Sequence, residues 1–217
     1  MGDATVTELV LDDPEPRWPA FIAVLAVGGL YRALPSYLTF GPRWLFFALV
    51  VILMIPTVIS YHSGYHQINR VFGFLVISVV TGGLILSVIF LIKVLPEHRE
   101  TPRDLLISAA ALWVTNVLVF ALWYWKLDAG GPHGRDQRPG HPDGAILFPQ
   151  MTLDDDQSQS WAPNFVDYLF LSFNTSTAFS PTDAPILARW AKLLMMVQSI
   201  ISLTVVALLA GRAVNIL

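Results

Sequence analysis

The stretch Phe165–Leu217, FVDYLFLSFNTSTAFSPTDAPILARWAKLLMMVQSIISLTVVALLAGRAVNIL, decides the fold. It reads as a short amphipathic helix over Phe165–Ala178, a polar loop, and one long apolar helix at the C-terminus. The first of these is too short to cross a bilayer, which takes roughly 20 residues. It runs into Phe179-Ser180-Pro181-Thr182-Asp183, which cannot continue a lipid-facing helix. Non-helical backbone at membrane depth survives only where protein buries it or water lines it. A half-length helix, a polar loop and a full span, in that order, can place carbonyls and hydroxyls at the bilayer midplane, as ion pores do.

Composition agrees with a membrane setting. The chain has 217 residues, 54% hydrophobic and 13% charged. Soluble domains carry about 25% charged residues, so half the usual charge is missing. Mean hydropathy is +0.58. There is no cysteine, which rules out disulfides and thiolate metal sites. Net charge is −3 with no basic run, so no nucleic-acid partner is expected. Residues 1–17 are acidic and polar, and lack the basic start and cleavage site of a signal peptide.

Working back from Phe165, residues 18–126 read as a four-helix transmembrane region and 127–163 as a long polar loop. The first apolar segment, Trp18–Leu34, is short and reads either as a span or as an interfacial helix. The second, Arg43–Ser60, carries Pro56 late, where a kink is expected. The third is Val71–Leu95. The fourth, Leu105–Trp125, follows Thr101-Pro102, a cap and first-turn pair, and ends in the aromatic belt Trp123-Tyr124-Trp125. The last span is read over Ala184–Asn215. The fold class is thus an all-α membrane protein of four to five spans, plus a re-entrant pore helix and filter-like loop over 164–217. No internal repeat or inverted duplication is visible.

The segment Ser172–Asp183 resembles the pore helix and filter of the potassium-channel superfamily. Such channels carry Ser and Thr at the end of the pore helix, then a Thr-Val-Gly-Tyr-Gly-Asp filter, then the inner helix. Aligned on Asp183, the filter threonine falls on Ala178, the threonine before it on Thr177, and the valine on Phe179. Ser180 and Thr182 stand where the glycines belong, with Pro181 between them. Glycine permits the alternating backbone that aims successive carbonyls at an ion, and proline fixes φ near −65°. The resemblance therefore implies ion contacts from the hydroxyls of Thr175, Thr177, Ser180 and Thr182 and the carboxylate of Asp183. These are hard oxygen ligands for a monovalent cation, potassium or sodium, with weak selectivity. The rest of the chain resembles an uncharacterised family of bacterial membrane proteins, which implies a bacterial inner membrane. No cofactor or resident metal is expected.

The last helix offers a stripe at Leu194, Gln198, Ser202, Val205 and Leu209, since Gln198 and Ser202 share a face. This stripe is expected to line a pore, polar in its middle and apolar toward the C-terminus. The plainer alternative is interhelical hydrogen bonding, which also suits Asn116. For the Ser/Thr run the alternative is bonding to the i−4 carbonyl, with the re-entrant element only filling a bundle. His62 and His66 are four apart, a spacing that can hold a metal on one helix, but Gly64 lies between them and interfacial histidines are the simpler reading. Asp154-Asp155-Asp156 could focus cations above a mouth, or be a solvated loop.

One chain supplies one filter strand, so a pore needs several copies about an axis, most simply a homotetramer. With the short helix entering from outside, the C-terminus is cytoplasmic. Lys and Arg then divide six inside (Arg32, Arg43, Lys93, Arg99, Arg103, Arg212) against the seven others outside, so the positive-inside rule hardly discriminates. No nucleophile–base constellation or phosphate loop points to an enzyme. The expected function is an oligomeric cation channel; the alternative is a non-conducting membrane scaffold or accessory subunit.

Overall fold

Apolar side chains recur without a break of charge along most of this chain, and in the structure those runs are helices. The structure, a computed structural model, describes residues 15–94, 101–137, 144–153, 161–177 and 184–214, and of Pro102 and 212–214 the backbone alone. Seven α-helices are present among the described residues: α1 (Trp18–Ala33), α2 (Arg43–His62), α3 (His66–Val94), α4 (Pro102–Leu127), α5 (Pro132–Asp136), α6 (Phe165–Thr177) and α7 (Arg189–Val214). The single extended pairing described is an antiparallel bridge between Ile146 and Ile186. Four helices, α2, α3, α4 and α7, are long and apolar enough to cross a membrane. The protein is therefore compatible with integral membrane insertion.

Local chemistry sets the boundaries. The Thr101 hydroxyl accepts from the Asp104 amide at 3.2 Å, capping α4 ahead of Pro102 as expected. Gly64 ends α2 with φ of +72°, the left-handed backbone that favours glycine. The Tyr65 amide then bonds the Ser60 carbonyl at 3.0 Å. That turn puts His62 at the end of α2 and His66 at the start of α3, so the two histidines share no helix face. His66 instead stacks on His133 of α5, ring centroids 3.7 Å apart. Among the described residues no cluster of three or more His, Asp or Glu could hold a metal.

The last span starts later than the sequence suggests, at Arg189 and not Ala184. Pro185 disfavours helix in the residue before it. The segment pairs with the loop instead: Leu147 N–H donates to the Pro185 carbonyl at 3.0 Å, and Leu187 N–H to the Ala145 carbonyl at 2.8 Å.

Helix α1 packs along α2 and α4 inside the bundle. It is about 24 Å long at 1.5 Å per residue. Its start meets the end of α4, where Trp125 Nε1 donates to Glu15. Its far end meets the start of α2, where Tyr31 stacks on Phe46 at 3.9 Å. Glycine permits the close approach there: a Cβ on Gly83 of α3 would lie 2.6 Å from the Phe46 ring. Helix α6 packs on α4 and α7, with a smaller contact to α1, and leaves Val166, Phe170 and Phe173 exposed, while α1 to α4 bury an apolar core. Leu84, Leu112, Phe120 and Leu122 are among the fully buried members of that core.

Candidate functional site: the polar seam around α6

Helix α6 has 13 residues, about 20 Å, against roughly 30 Å of bilayer hydrocarbon. It starts beside the end of α4, with Phe165 edge-on to Trp125 at 5.9 Å. It ends beside the middle of α4 and of α7. Trp113 Nε1 donates to the Ser202 hydroxyl at 3.1 Å, and the Ser202 hydroxyl donates to the Ser176 carbonyl. The Ser199 hydroxyl reaches the Thr175 carbonyl at 3.4 Å. Successive partners advance together along α6 and α7, so those helices run in the same direction. By Ala184 the chain is back at the loop end, beside Ala145.

Gln198 is the centre of this seam and is fully buried. Its Nε2 lies 2.7 Å from the Ser172 carbonyl, 2.8 Å from the Ser172 hydroxyl and 2.7 Å from the Ser176 hydroxyl. Its Oε1 accepts from the Tyr124 hydroxyl at 2.5 Å. Asn116 Nδ2 donates to the Gln198 backbone carbonyl at 3.2 Å and contacts the Ser176 hydroxyl at 3.4 Å. The Ser172 hydroxyl donates to the Val117 carbonyl at 2.7 Å. Buried polar groups need such partners, and here three helices supply them.

The stripe expected to line a pore is thereby relocated. Gln198 and Ser202 are buried against α4 and α6 of the same chain, Val205 is buried in its apolar core, and Leu194 and Leu209 pack half-buried on that core. Their polar members find their hydrogen bonds within one chain and are not left for an axis between copies. The face of α7 that remains exposed carries Leu193, Met196, Val197, Ile200, Leu203 and Val206.

The hydroxyls expected to meet an ion are also placed. Thr175 is buried and donates to the Leu171 carbonyl at 2.8 Å, the i−4 pattern. Thr177, half-buried, donates to the Asn174 carbonyl at 2.9 Å. Ala178, Phe179, Ser180, Pro181, Thr182 and Asp183 lie outside the described residues, as do Asp154, Asp155 and Asp156.

The sequence reading missed a second polar centre at the loop end. Asp128 is fully buried at the end of α4. Its carboxylate accepts from the Ala145 amide at 2.5 Å and from the Tyr168 hydroxyl of α6 at 2.8 Å. Arg135 donates to the Trp125 and Asp128 carbonyls, both at 3.0 Å, and to Glu15 at 2.8 Å. Glu15 also takes Arg17, which pairs in turn with Asp136. The loop is therefore tied to α1, α4 and α6 by buried charge. One local signal existed, the occurrence of Asp128, Arg135 and Asp136 close together, but a polar Gly/Pro-rich stretch reads equally well as solvated. No protein-family model, curated protein or solved structure matches this chain.

Proposed function

We propose that this chain is one subunit of an oligomeric, weakly selective cation channel in a bacterial inner membrane, with its C-terminus cytoplasmic. Helices α4, α6 and α7 form the pore module, and a glycine-free filter follows Thr177. One observation carries the reading. The C-terminal end of α6 is held level with the middle of α4 and α7 by Trp113, Asn116, Gln198 and Ser202, and the chain is back at the loop end by Ala184. That supports a re-entrant α6. A helix C-terminus carries about half a negative charge, which favours a cation in front of it. The buried Gln198 seam then sets the depth of α6, and the exposed face of α7, running through Leu193, Val197, Ile200 and Thr204, turns to the shared axis.

Two measurements test this. Native mass spectrometry in mild detergent should return a closed oligomer, four copies being the simplest. Purified protein in liposomes should pass potassium and sodium with little preference. Thr177→Ala and Asp183→Ala should each change flux or ion preference, while Ser108→Ala in α4 should not. A monomer without flux for any cation removes the channel reading.

The second reading is a non-conducting scaffold or accessory subunit. It is favoured by the satisfaction of Ser172, Thr175, Ser176 and Gln198 inside one chain. A bundle-filling helix needs nothing more than those bonds. The flux measurement separates the two.

A further inference from the structure

A cavity of about 660 Å³ opens at the loop end, between α1, α2, α3, α4 and α5. None of its lining comes from α6 or α7; of the proposed pore module only α4 reaches it, through Leu122, Trp125 and Lys126. The volume is in the range of small-molecule sites, roughly 300–1,000 Å³. Its two ends differ in chemistry. Val24, Met54, Ile77 and Leu122 form an apolar floor. Arg70 and Lys126 stand toward the loop-side ends of α3 and α4.

Both cations lie near one ring. The Arg70 guanidinium lies 6.0 Å and the Lys126 ammonium 5.9 Å from the Phe74 centroid. The ammonium also lies 5.9 Å from the Trp125 ring. Gly73 leaves it room, since a Cβ there would stand 2.7 Å from Nζ. Among the described residues neither cation has a carboxylate partner, and the acid that lines the cavity, Asp136, is taken by Arg17. Cations at membrane depth without a counter-ion are costly and are normally matched by one.

We infer that this cavity binds an anionic phospholipid, its phosphate held between Arg70 and Lys126 and an acyl chain laid on Val24, Met54, Ile77 and Leu122. Charge selects the head: two cations with no carboxylate partner among the described residues attract a phosphate. Depth selects the tail. Val24 lies seven residues into the bundle from Arg17, about 10 Å below the charged mouth. A soluble anion would leave that floor empty.

The test is native mass spectrometry of the detergent-purified chain with phosphatidylglycerol, phosphatidylcholine or glycerol 3-phosphate added at equal concentration. Phosphatidylglycerol should be retained over phosphatidylcholine. The preference should fall about fivefold for each charge removed in Lys126→Gln and Arg70→Gln. Lys126→Arg keeps the charge and should keep the preference, which separates loss of charge from misfolding. Lys93→Gln, at the opposite end of α3, should behave as the native chain. Equal retention of the two lipids, or an unchanged preference in the double Gln variant, overturns the site. Glycerol 3-phosphate bound as strongly as the lipid overturns the acyl-chain assignment in favour of a soluble phosphate.

Discussion

Gln198 of α7 holds Ser172 of α6 by both its carbonyl and its hydroxyl, at 2.7 and 2.8 Å from one amide nitrogen. This pairing ties a half-length helix to a full-length one. Without it the start of α6 would still be anchored through Asp128, while its end would keep the contacts of Trp113, Asn116, Ser199 and Ser202.

Gln198→Leu should therefore lower stability. The buried Tyr124 hydroxyl loses its acceptor, and the Ser172 carbonyl loses the Gln198 donor. Each stranded buried group costs about 1–3 kcal/mol, and partial relaxation puts the whole loss at the upper end of that range. Thermal unfolding in detergent reads it. Gln198→Leu as stable as the native chain would mean that the seam does not hold α6.

Asp128→Asn removes the buried charge that accepts from the Ala145 amide and the Tyr168 hydroxyl. Weakening hydrogen bonds to a buried charged group costs about 1.5–3 kcal/mol. Tyr168→Phe removes one donor to the same carboxylate and should cost only about 1 kcal/mol. The order of the two variants in an unfolding series is the check; equal losses would place the binding energy elsewhere in the loop.

Val205→Ser separates the buried stripe from the exposed one. Val205 is 1% exposed in the α7 core contact. Its substitution should cost about 1–3 kcal/mol through lost packing and a stranded hydroxyl, and leave ion leak unchanged. Ile200→Ser, on the exposed face, should leave stability nearly intact and alter leak if that face meets a pore. A leak raised by Val205→Ser alone would return the pore axis to the buried stripe.

Acid should loosen the α5 contact. Burial first, then the positive charge of His66 and of Arg17, lower the His133 pKa below its ordinary 6.5, while Asp136 opposes them. The folded state then resists a proton that the unfolded chain accepts. The associated stability is fully present above about pH 6.5 and is lost as pH falls through the lowered folded value. His133 is exposed, so solvent screens the effect and it should be small. The melting temperature should fall less between pH 7.5 and 5.5 in His133→Gln than in the native chain. Identical acid shifts in both proteins would exclude the His66–His133 stack as the cause.

Much of the architecture is written locally. Runs of apolar residues longer than about 20 specify spans whatever surrounds them, and α2, α3, α4 and α7 follow them. Thr101 capping α4, Gly64 stopping α2 and the short reach of α6 also depend on near neighbours only. What tertiary structure decided is which face of each helix turns inward. Along α7 apolar residues occupy every side, so no periodic stripe marks the interior. Lipid is as apolar as a protein core, and helices in it are sorted by polar partners and close packing instead. Gln198 and Ser202 turn inward because Ser172, Ser176, Tyr124 and Trp113 wait there, 22 to 89 residues away in sequence. The same holds for Asp128 and Arg135. A loop of polar residues reads as solvated until Tyr168, Glu15 and the end of α4 close over it, and only the folded bundle brings those groups within hydrogen-bond distance.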